Sequence, residues 1–388
     1  MNTYARLPVT IVRGRGTRVW DDKGKEYLDF VSGIAVNALG HCHPAVVGAV
    51  TSQVQKLFHC SNLYFSEPQA ELASLLVENS PFDKVFFCNS GAEANEAAIK
   101  LARKYGKEVL GEGHYEIITA LNSFHGRTLA TITATGQPKY QKGFEPLPAG
   151  FKYIPFNDPS SLRQAVNDAT CAIMLEPIQG ESGIYPAKRE FLVEARRLCD
   201  ATGALLILDE VQTGLGRTGK FFAFEHYGIV PDIVSLAKAL AGGLPMGAIL
   251  AKEHVAQHFV PGSHASTFGG NPVSAAAANA VLKTIFEEDL ISNAVKMGRY
   301  FMAGLSHLGL RHDLITDVRG LGLMIGLGLA KGAREIASHC LELGLLVNAI
   351  GDSTLRFLPP LTVTEEEVDK ALAILEQAVV SYYAEIKG

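Results

Sequence analysis

The stretch that decides the fold is KVFFCNSGAEANEAAIKLARKYG, residues 84–106. A short apolar run is followed by a turn of small residues and then by apolar residues at helical spacing. Similar units begin at EIITALNSFHGRT (116–128), CAIMLEPIQGE (171–181), ALLILDEVQTGLG (204–216) and DIVSLAKALAGG (232–243). Continuous apolar runs that alternate with helices are typical of a parallel sheet buried on both faces. We therefore predict an α/β fold whose large domain has a mostly parallel central sheet flanked by helices.

The two ends of the chain follow other patterns. Residues 9–30, VTIVRGRGTRVWDDKGKEYLDF, alternate apolar and polar residues and predict short antiparallel strands. After PGSHASTFGGNP (261–272), a candidate hinge, a long helical run and strand-like segments predict a smaller α+β domain. The predicted boundaries are an N-terminal arm over 1–50 that joins the small domain, a large domain over 51–270 and the small domain over 271–388.

Composition, net charge and cysteine spacing indicate which kinds of partner the protein binds. The chain has 388 residues, 47% of them hydrophobic, and a formal charge of −5, without the basic excess of nucleic-acid-binding proteins. The apolar stretch GLGLMIGLGLA (320–330) is too short to span a membrane. The six cysteines show no spacing typical of a zinc site or a disulfide framework. We expect small-molecule partners, no metal, no nucleic acid, no membrane and a cytoplasmic location.

Small residues follow the first apolar run, in Asn89 to Ala92. They allow a ligand to approach the backbone closely, and the helix that follows offers unpaired N–H groups and its positive dipole end to an anion. Residues Asn89, Ser90, Gly91 and Ala92 are therefore a candidate phosphate site, although a serine and a glycine before a helix also form an ordinary cap.

Two charged residues end two later runs. A carboxylate such as Asp209, at the end of a buried strand, requires a cationic or hydrogen-bonding partner, which is either a ligand or a protein group. Lys238 follows the next run, 29 residues later, and a lysine among apolar groups has a lowered pKa and a nucleophilic neutral amine. Phosphate, a cationic ring nitrogen and an aldehyde are the three groups of pyridoxal phosphate that such a site would bind.

Five motifs in register carry a family resemblance. NSGAEANEAAIKLAR, FHGRT, EPIQGE, DEVQTGLGRTG and LAKALAGGLPMGA resemble the class III, fold-type I pyridoxal-phosphate aminotransferases, and within them most closely the acetylornithine aminotransferases. The similarity extends from DDKGKEYLDF (21–30) to LRFLPPL (355–361). It implies the fold-type I architecture, pyridoxal 5'-phosphate as cofactor and a homodimer with shared active sites.

The resemblance also implies roles for individual residues. Lys238 forms the Schiff base with the cofactor, and Asp209 keeps the pyridinium nitrogen protonated; these two are the expected catalytic residues. The expected cofactor-binding residues are Ser90, Gly91, Ala92, Phe124, Asp209, Glu210, Val211, Gln212, Lys238 and Thr267. Among these, Gly91 and Ala92 hold the phosphate, Phe124 stacks on the ring and Gln212 approaches its phenolic oxygen. Ser266 and Thr267 reach the partner subunit's site, where Ser266 contacts substrate.

Two arginines match the family's carboxylate-binding positions. Arg127 is expected to take the distal α-carboxylate, and Arg356 the carboxylate that glutamate or 2-oxoglutarate presents near the ring. Glu181 matches the acidic residue that neutralises Arg356 when the donor lacks that second carboxylate. We interpret Glu181 and Arg356 as a switch between the half-reactions; a permanent structural ion pair is the alternative.

The expected reaction is transfer of an amino group from N2-acetyl-L-ornithine to 2-oxoglutarate, as in arginine biosynthesis. Ile34 stands where ornithine δ-aminotransferases have a tyrosine, which favours an acylated substrate, whereas Tyr4 matches another of their site tyrosines. Ornithine δ-, 4-aminobutyrate and N-succinyldiaminopimelate aminotransferases remain alternatives. A nicotinamide-dependent oxidoreductase lacks the required GxGxxG, and a silent binding protein does not explain the filled catalytic positions.

Overall fold

A computed structural model describes residues 1–387. Its strands are β1 (Ile11–Arg15), β2 (Arg18–Asp21), β3 (Glu26–Asp29), β4 (Lys84–Cys88), β5 (Glu116–Ala120), β6 (Phe151–Ile154), β7 (Thr170–Leu175), β8 (Ile178–Gln179), β9 (Tyr185–Pro186), β10 (Leu205–Asp209), β11 (Ile233–Leu236), β12 (Gly247–Ala251), β13 (Ile315–Leu321), β14 (Met324–Leu329), β15 (Leu345–Leu346), β16 (Asn348–Ile350) and β17 (Thr354–Phe357). Its helices are α1 (Ser32–Ala35, a single left-handed turn), α2 (Pro44–Val54), α3 (Glu67–Glu78), α4 (Gly91–Tyr105), α5 (Leu129–Ala134), α6 (Pro138–Gln141), α7 (Pro159–Ala165), α8 (Arg189–Thr202), α9 (Glu253–Ala256), α10 (Pro272–Glu287), α11 (Leu290–Arg311), α12 (Ala333–Leu343) and α13 (Glu365–Lys387).

The central sheet has seven strands in the order β4-β12-β11-β10-β7-β5-β6. Only β12 runs against its neighbours β11 and β4, so the prediction of a mostly parallel sheet is confirmed. Along β10, Leu206 and Leu208 belong to one buried cluster, whereas Leu205 and Ile207 belong to another. The continuous apolar run therefore reflects burial on both faces, as expected for such a sheet.

Helix α4 covers one face of this sheet next to the candidate phosphate site. The hydroxyl of Ser90 accepts a hydrogen bond from the backbone N–H of Glu93 at 3.2 Å and so caps the helix. Its small buried residues, among them Ala94, Ala97 and Ala98, pack in the same cluster as Ile207. The small alanine side chains let the helix pack close to the strands. Because α4 begins three residues after β4 ends, its N-terminus lies at the carboxyl edge of the sheet.

The chain's two ends meet in a separate sheet of order β1-β2-β3-β15. The predicted N-terminal antiparallel strands are present, and β15 from the C-terminal part pairs with β3 in parallel. A third sheet, β13-β14-β17-β16, is entirely antiparallel. The boundaries at 50/51 and 270/271 stay predictions, and residue 388, the end of the predicted small domain, lies outside the described residues.

The long helical run after residue 271 is divided into α10 and α11. Asp289, between them, adopts a left-handed conformation with φ of 50°. Three acidic residues, Glu287 to Asp289, stand at this point. Negative charge is unfavourable at the C-terminus of one helix and favourable at the N-terminus of the next, so the break suits these charges.

None of the helices within residues 1–387 combines the length and the apolar character needed to cross a membrane.

Candidate active site

A cavity of about 410 Å³ lies where the strands of the central sheet end. Residues that follow β4, β5, β7, β10 and β11 all line it, since the carboxyl ends of these strands share one edge. Of the residues predicted from sequence, the cavity brings together Ser90, Gly91, Ala92, Phe124, Arg127, Asp209, Val211, Gln212 and Lys238. Glu181 and Arg356 join them through a hydrogen bond to Gln212.

The turn after β4 forms a close-fitting cradle. A Cβ atom placed on Gly91 would lie 2.8 Å from Cγ1 of Val211, so a glycine is needed for these two loops to meet. The Glu93 carboxylate accepts the N–H of Asn89 at 2.5 Å and fixes the turn from the other side. The first turn of α4 leaves backbone N–H groups without helical acceptors, which suits an anion.

Asp209, the last residue of β10, is 5% exposed and is held by three donors. Its Oδ2 accepts from Nδ2 of Asn95 at 2.7 Å and lies 2.9 Å from Nδ1 of His125. Its Oδ1 accepts the N–H of Val211 at 3.0 Å. These contacts fix the carboxylate beside the cavity. Asn95 and His125 were not predicted as site residues from sequence, although they lie in the motifs NSGAEANEAAIKLAR and FHGRT.

Lys238 begins a short 3-10 helix (Lys238–Ala241) two residues after β11. Strands β10 and β11 are hydrogen-bonded neighbours, which places Asp209 and Lys238 at the same edge of the sheet. Burial lowers the pKa of the lysine from 10.5 to about 8; nearby Arg356 also lowers it, whereas Glu181 and Asp209 raise it. The backbone at Lys238 is left-handed, with φ of 42°, a rare conformation for a residue other than glycine.

Glu176 is a second buried carboxyl group in this cavity that sequence reasoning missed. Its Oε2 accepts the N–H of Phe124 at 3.0 Å, and its Oε1 that of Gly180 at 3.4 Å. Burial, followed by repulsion from Asp209, raises its pKa well above the usual range. The raised pKa favours the uncharged form of this carboxyl group.

Arg127 lies on the rim of the cavity with an exposed guanidinium group. That group stacks 4.1 Å over the ring of Tyr140 and 5.5 Å from the ring of Phe124. In residues 1–387, no carboxylate lies within 4.0 Å of it. Arg127 is therefore oriented by aromatic rings and available to an incoming carboxylate.

Arg356 is 1% exposed and makes a ring of polar contacts. Its Nη1 lies 2.6 Å from Oε1 of Glu181 and donates to the carbonyl of Gly180 at 3.1 Å. Its Nε and Nη2 both donate to Oδ1 of Asn348, at 3.1 and 2.7 Å. Nε2 of Gln212 donates to the same Glu181 oxygen at 3.0 Å. The arginine lowers the pKa of Glu181, although burial opposes this effect.

Three predicted site residues lie elsewhere. The Glu210 carboxylate accepts the N–H groups of Ala223 and Phe224, at the start of the short helix Ala223–Tyr227. Its side chain therefore does not line the cavity. Ser266 accepts a hydrogen bond from Asn89 at 3.2 Å, at the edge of the cradle. Thr267 is exposed and points to no part of this cavity in the single chain.

The cavity fits pyridoxal phosphate on three observations. Ser90, Gly91 and Ala92 line the cavity at the N-terminus of α4, where unpaired backbone N–H groups suit a phosphate. A buried carboxylate, Asp209, is fixed beside the cavity, and a carboxylate is the partner that a pyridinium nitrogen requires. Oε1 of Gln212 is buried without a hydrogen-bond partner in the part of the chain that the structure describes, and so remains for a ligand donor.

Comparison with known proteins agrees with this site. The family model "Aminotransferase class-III" matches residues 1–379. An acetylornithine aminotransferase of Caldanaerobacter subterraneus is 57% identical over 380 residues, which cover 98% of this chain and 96% of that protein.

Two solved structures are similar throughout. The N-acetylornithine aminotransferase of Stenotrophomonas maltophilia has a TM-score of 0.87 and 40% identity, and the match covers 99% of both chains. An ornithine aminotransferase of Toxoplasma gondii, described with partial occupancy of pyridoxal phosphate at its active site, has a TM-score of 0.95 and 33% identity over 99% of this chain and 93% of that one. On the family match and these identities, the chain belongs to the class III aminotransferases, a family of pyridoxal-phosphate enzymes with the predicted α/β architecture.

Proposed function

We propose that the enzyme transfers the δ-amino group of N2-acetyl-L-ornithine to 2-oxoglutarate, giving N-acetyl-L-glutamate 5-semialdehyde and L-glutamate. The observation that carries this proposal is the contrast between two arginines. Arg127 has no carboxylate partner in residues 1–387, whereas Arg356 is paired with Glu181 at 2.6 Å. The arginine without a carboxylate partner can bind the single carboxylate of the donor. The arginine that is paired with a glutamate becomes available only to an acceptor with a second carboxylate.

Pyridoxal phosphate supplies the electron sink that makes transfer of an amino group between carbon atoms feasible. Gly91 and Ala92 would hold its phosphate, Phe124 would pack against its ring, and Gln212 would face its phenolic oxygen. Asp209, oriented by Asn95 and His125, would hold a proton on the ring nitrogen. These assignments remain part of the proposal.

Lys238 carries the covalent and proton-transfer chemistry of the proposed reaction. With a pKa of about 8, a useful fraction of its amine is neutral near neutral pH and can attack an aldehyde. The same Nζ would remove the proton from the donor carbon that bears the amino group and return it at the neighbouring carbon.

The two arginines would bind different carboxylates in the two half-reactions. The donor's α-carboxylate would bind Arg127, while Glu181 keeps Arg356 neutralised beside the donor's aliphatic chain. 2-Oxoglutarate would bind both arginines, and its second carboxylate would take the place of Glu181 on Arg356. The interpretation of Glu181 and Arg356 as a switch stays a proposal.

The acylated substrate is favoured by the apolar surroundings of residue 34. Ile34 packs against the buried cluster of Ala35, Ile178, Ile184, Met324 and Leu358. A side chain in this cluster offers no polar group to a free α-amino group, whereas an acetamide has no charge to satisfy. Tyr4, the residue that favours free ornithine, is 68% exposed in the single chain.

We also propose a homodimer in which Ser266 and Thr267 serve the partner subunit's site. Large apolar side chains are exposed on this loop and on residues 57–65, a segment that contacts it through Asn62 and His59: Leu57, Phe58, Leu63, Tyr64, Phe65 and Phe268. Such a concentration of exposed apolar groups is typical of a subunit interface. The six cysteines of the described chain are free thiols, which suits the reducing cytoplasm that we propose as its location.

A substrate panel tests the proposal. The purified enzyme is incubated with 2-oxoglutarate and, in turn, N2-acetylornithine, ornithine, 4-aminobutyrate and N-succinyldiaminopimelate, and glutamate formation is measured. N2-acetylornithine should give the highest kcat/KM, and Lys238→Ala should abolish turnover. A higher kcat/KM with ornithine would assign the alternative activity, and full activity of Lys238→Ala would remove Lys238 from the chemistry.

A further inference from the structure

Asn348 lies directly opposite Arg356 in the third sheet. Strands β16 and β17 are antiparallel, and these two residues are paired in their register. Oδ1 of Asn348 accepts from both Nε and Nη2 of the arginine, at 3.1 and 2.7 Å. One amide oxygen thus occupies one edge of the guanidinium group, while Glu181 contacts Nη1 on the other.

The chemical difference between these two partners is charge. A guanidinium group offers five N–H donors, and a carboxylate that binds it neutralises it. Asn348 accepts hydrogen bonds without carrying charge, so Arg356 keeps its full positive charge whenever Glu181 withdraws. A neutral acceptor that is fixed on the neighbouring strand can hold the side chain in place during this exchange.

Among the described residues, Asn348 is the only side chain besides Glu181 that hydrogen-bonds to Arg356. Besides Glu181 and Asn348, its only hydrogen-bond partner among the described residues is the carbonyl of Gly180. Glu181 is 23% exposed at its side chain, whereas Arg356 is 1% exposed. The acid has the freer path to solvent, whereas Asn348 contacts two nitrogen atoms of the buried arginine and fixes the edge of the guanidinium group that Glu181 does not contact.

We propose that Asn348 is a positioning residue that orients Arg356 through a charge-neutral contact, so that the arginine can bind the second carboxylate of a C5 dicarboxylate substrate when Glu181 withdraws. This inference rests on the proposed function, because it assigns that carboxylate to Arg356. It implies that an amide at position 348 is needed for its neutrality as well as for its hydrogen bonds.

Two substitutions separate these requirements. Asn348→Asp keeps the shape and the acceptor oxygen but adds a permanent negative charge beside Arg356. Asn348→Ala removes the acceptor and adds no charge. A purely structural role, in which residue 348 only accepts hydrogen bonds, predicts that Asp is tolerated better than Ala. A role in dicarboxylate binding predicts the reverse order.

Calorimetric titration of the holoenzyme with glutarate measures this directly, because glutarate has the two carboxylates of 2-oxoglutarate but no reactive carbonyl. Valerate, with one carboxylate and the same number of carbons, is the matched ligand that does not use Arg356. Asn348→Asp should raise the Kd of glutarate at least about tenfold and more than Asn348→Ala does, and leave the Kd of valerate within about threefold. In single-turnover experiments, the same variant should slow the reaction with 2-oxoglutarate and spare that with N2-acetylornithine.

An Asn348→Asp enzyme that binds glutarate as well as the unmodified enzyme, or better than Asn348→Ala does, would overturn the inference. Equal loss of glutarate and valerate binding would overturn it as well, since that result indicates general damage to the site. The unmodified enzyme tests the proposed function separately. If it binds glutarate no more tightly than valerate, Arg356 does not bind a second carboxylate. That result would contradict the proposed function itself, whatever the role of Asn348.

Discussion

The pKa of Lys238 offers a prediction whose size and sign both follow from the structure. An ordinary lysine with a pKa of 10.5 is neutral in only about 0.03% of molecules at about pH 7, whereas a pKa of about 8 gives about 9%, a roughly 300-fold gain in nucleophile. Burial is the main cause of the lowered pKa. Arg356 lowers it further and Glu181 opposes both.

Substitution of these two neighbours should therefore shift the pKa of Lys238 in opposite directions. Glu181→Gln removes a negative charge that stabilises the ammonium form, so the pKa of Lys238 should fall below that of the unmodified enzyme. Arg356→Gln removes a positive charge that destabilises the same form, so the pKa should rise. The two variants also control for each other, because each breaks the same ion pair.

The assay is uptake of pyridoxal phosphate by the apoenzyme, followed by visible absorption across the range from about pH 6 to about pH 10. The rate should rise with pH to a midpoint near that of the lysine, about 8. Lys238→Ala, which binds the cofactor without the covalent bond, corrects for titration of the cofactor itself. A midpoint above about 10, or equal midpoints in the two neighbour variants, would refute the argument.

Three further substitutions have expected outcomes. Tyr140→Leu removes the ring under Arg127 and should raise the KM for N2-acetylornithine about fivefold, whereas Tyr140→Phe should leave it unchanged. Gly91→Ala brings a Cβ against Val211 and should weaken binding of pyridoxal phosphate roughly tenfold in equilibrium dialysis, with recovery in Gly91→Ala/Val211→Ala; no recovery would place the cause elsewhere. Arg217→Met leaves the buried carbonyls of Leu323 and Pro359 without their donor and should lower the free energy of unfolding in urea by about 3 kcal/mol, with a smaller loss for Arg217→Lys; an unchanged midpoint would contradict this.

The elements that the sequence predicted well are those with a strong local signal. The buried strands of the large sheet are continuous apolar runs because both faces pack, as the alternating clusters of Leu206 and Ile207 illustrate. Thr364 and Glu367, a threonine and a glutamate three residues apart before an apolar run, form a capping box at the start of α13. The pair Asp209 and Lys238 was predictable because each directly follows such a run.

What the sequence did not predict depends on long-range pairing. Strand β12 is antiparallel to its neighbours, but the pattern of apolar side chains along a buried strand is the same for either direction. Asn348 meets Arg356 only through the register of a strand pair, and Asn95 meets Asp209 across 114 residues. Glu210, next to Asp209 in sequence, projects to the opposite side because neighbouring side chains in an extended segment alternate.

Transfer of nitrogen is the central claim, and isotopic labelling measures it most directly. N2-acetylornithine labelled with heavy nitrogen at the δ position is incubated with 2-oxoglutarate and the enzyme, and the products are analysed by mass spectrometry. The label should appear in glutamate, in amounts equal to the semialdehyde formed, and Lys238→Ala should form neither product. Label that remains in N2-acetylornithine, or that is released as ammonia while glutamate stays unlabelled, would contradict it.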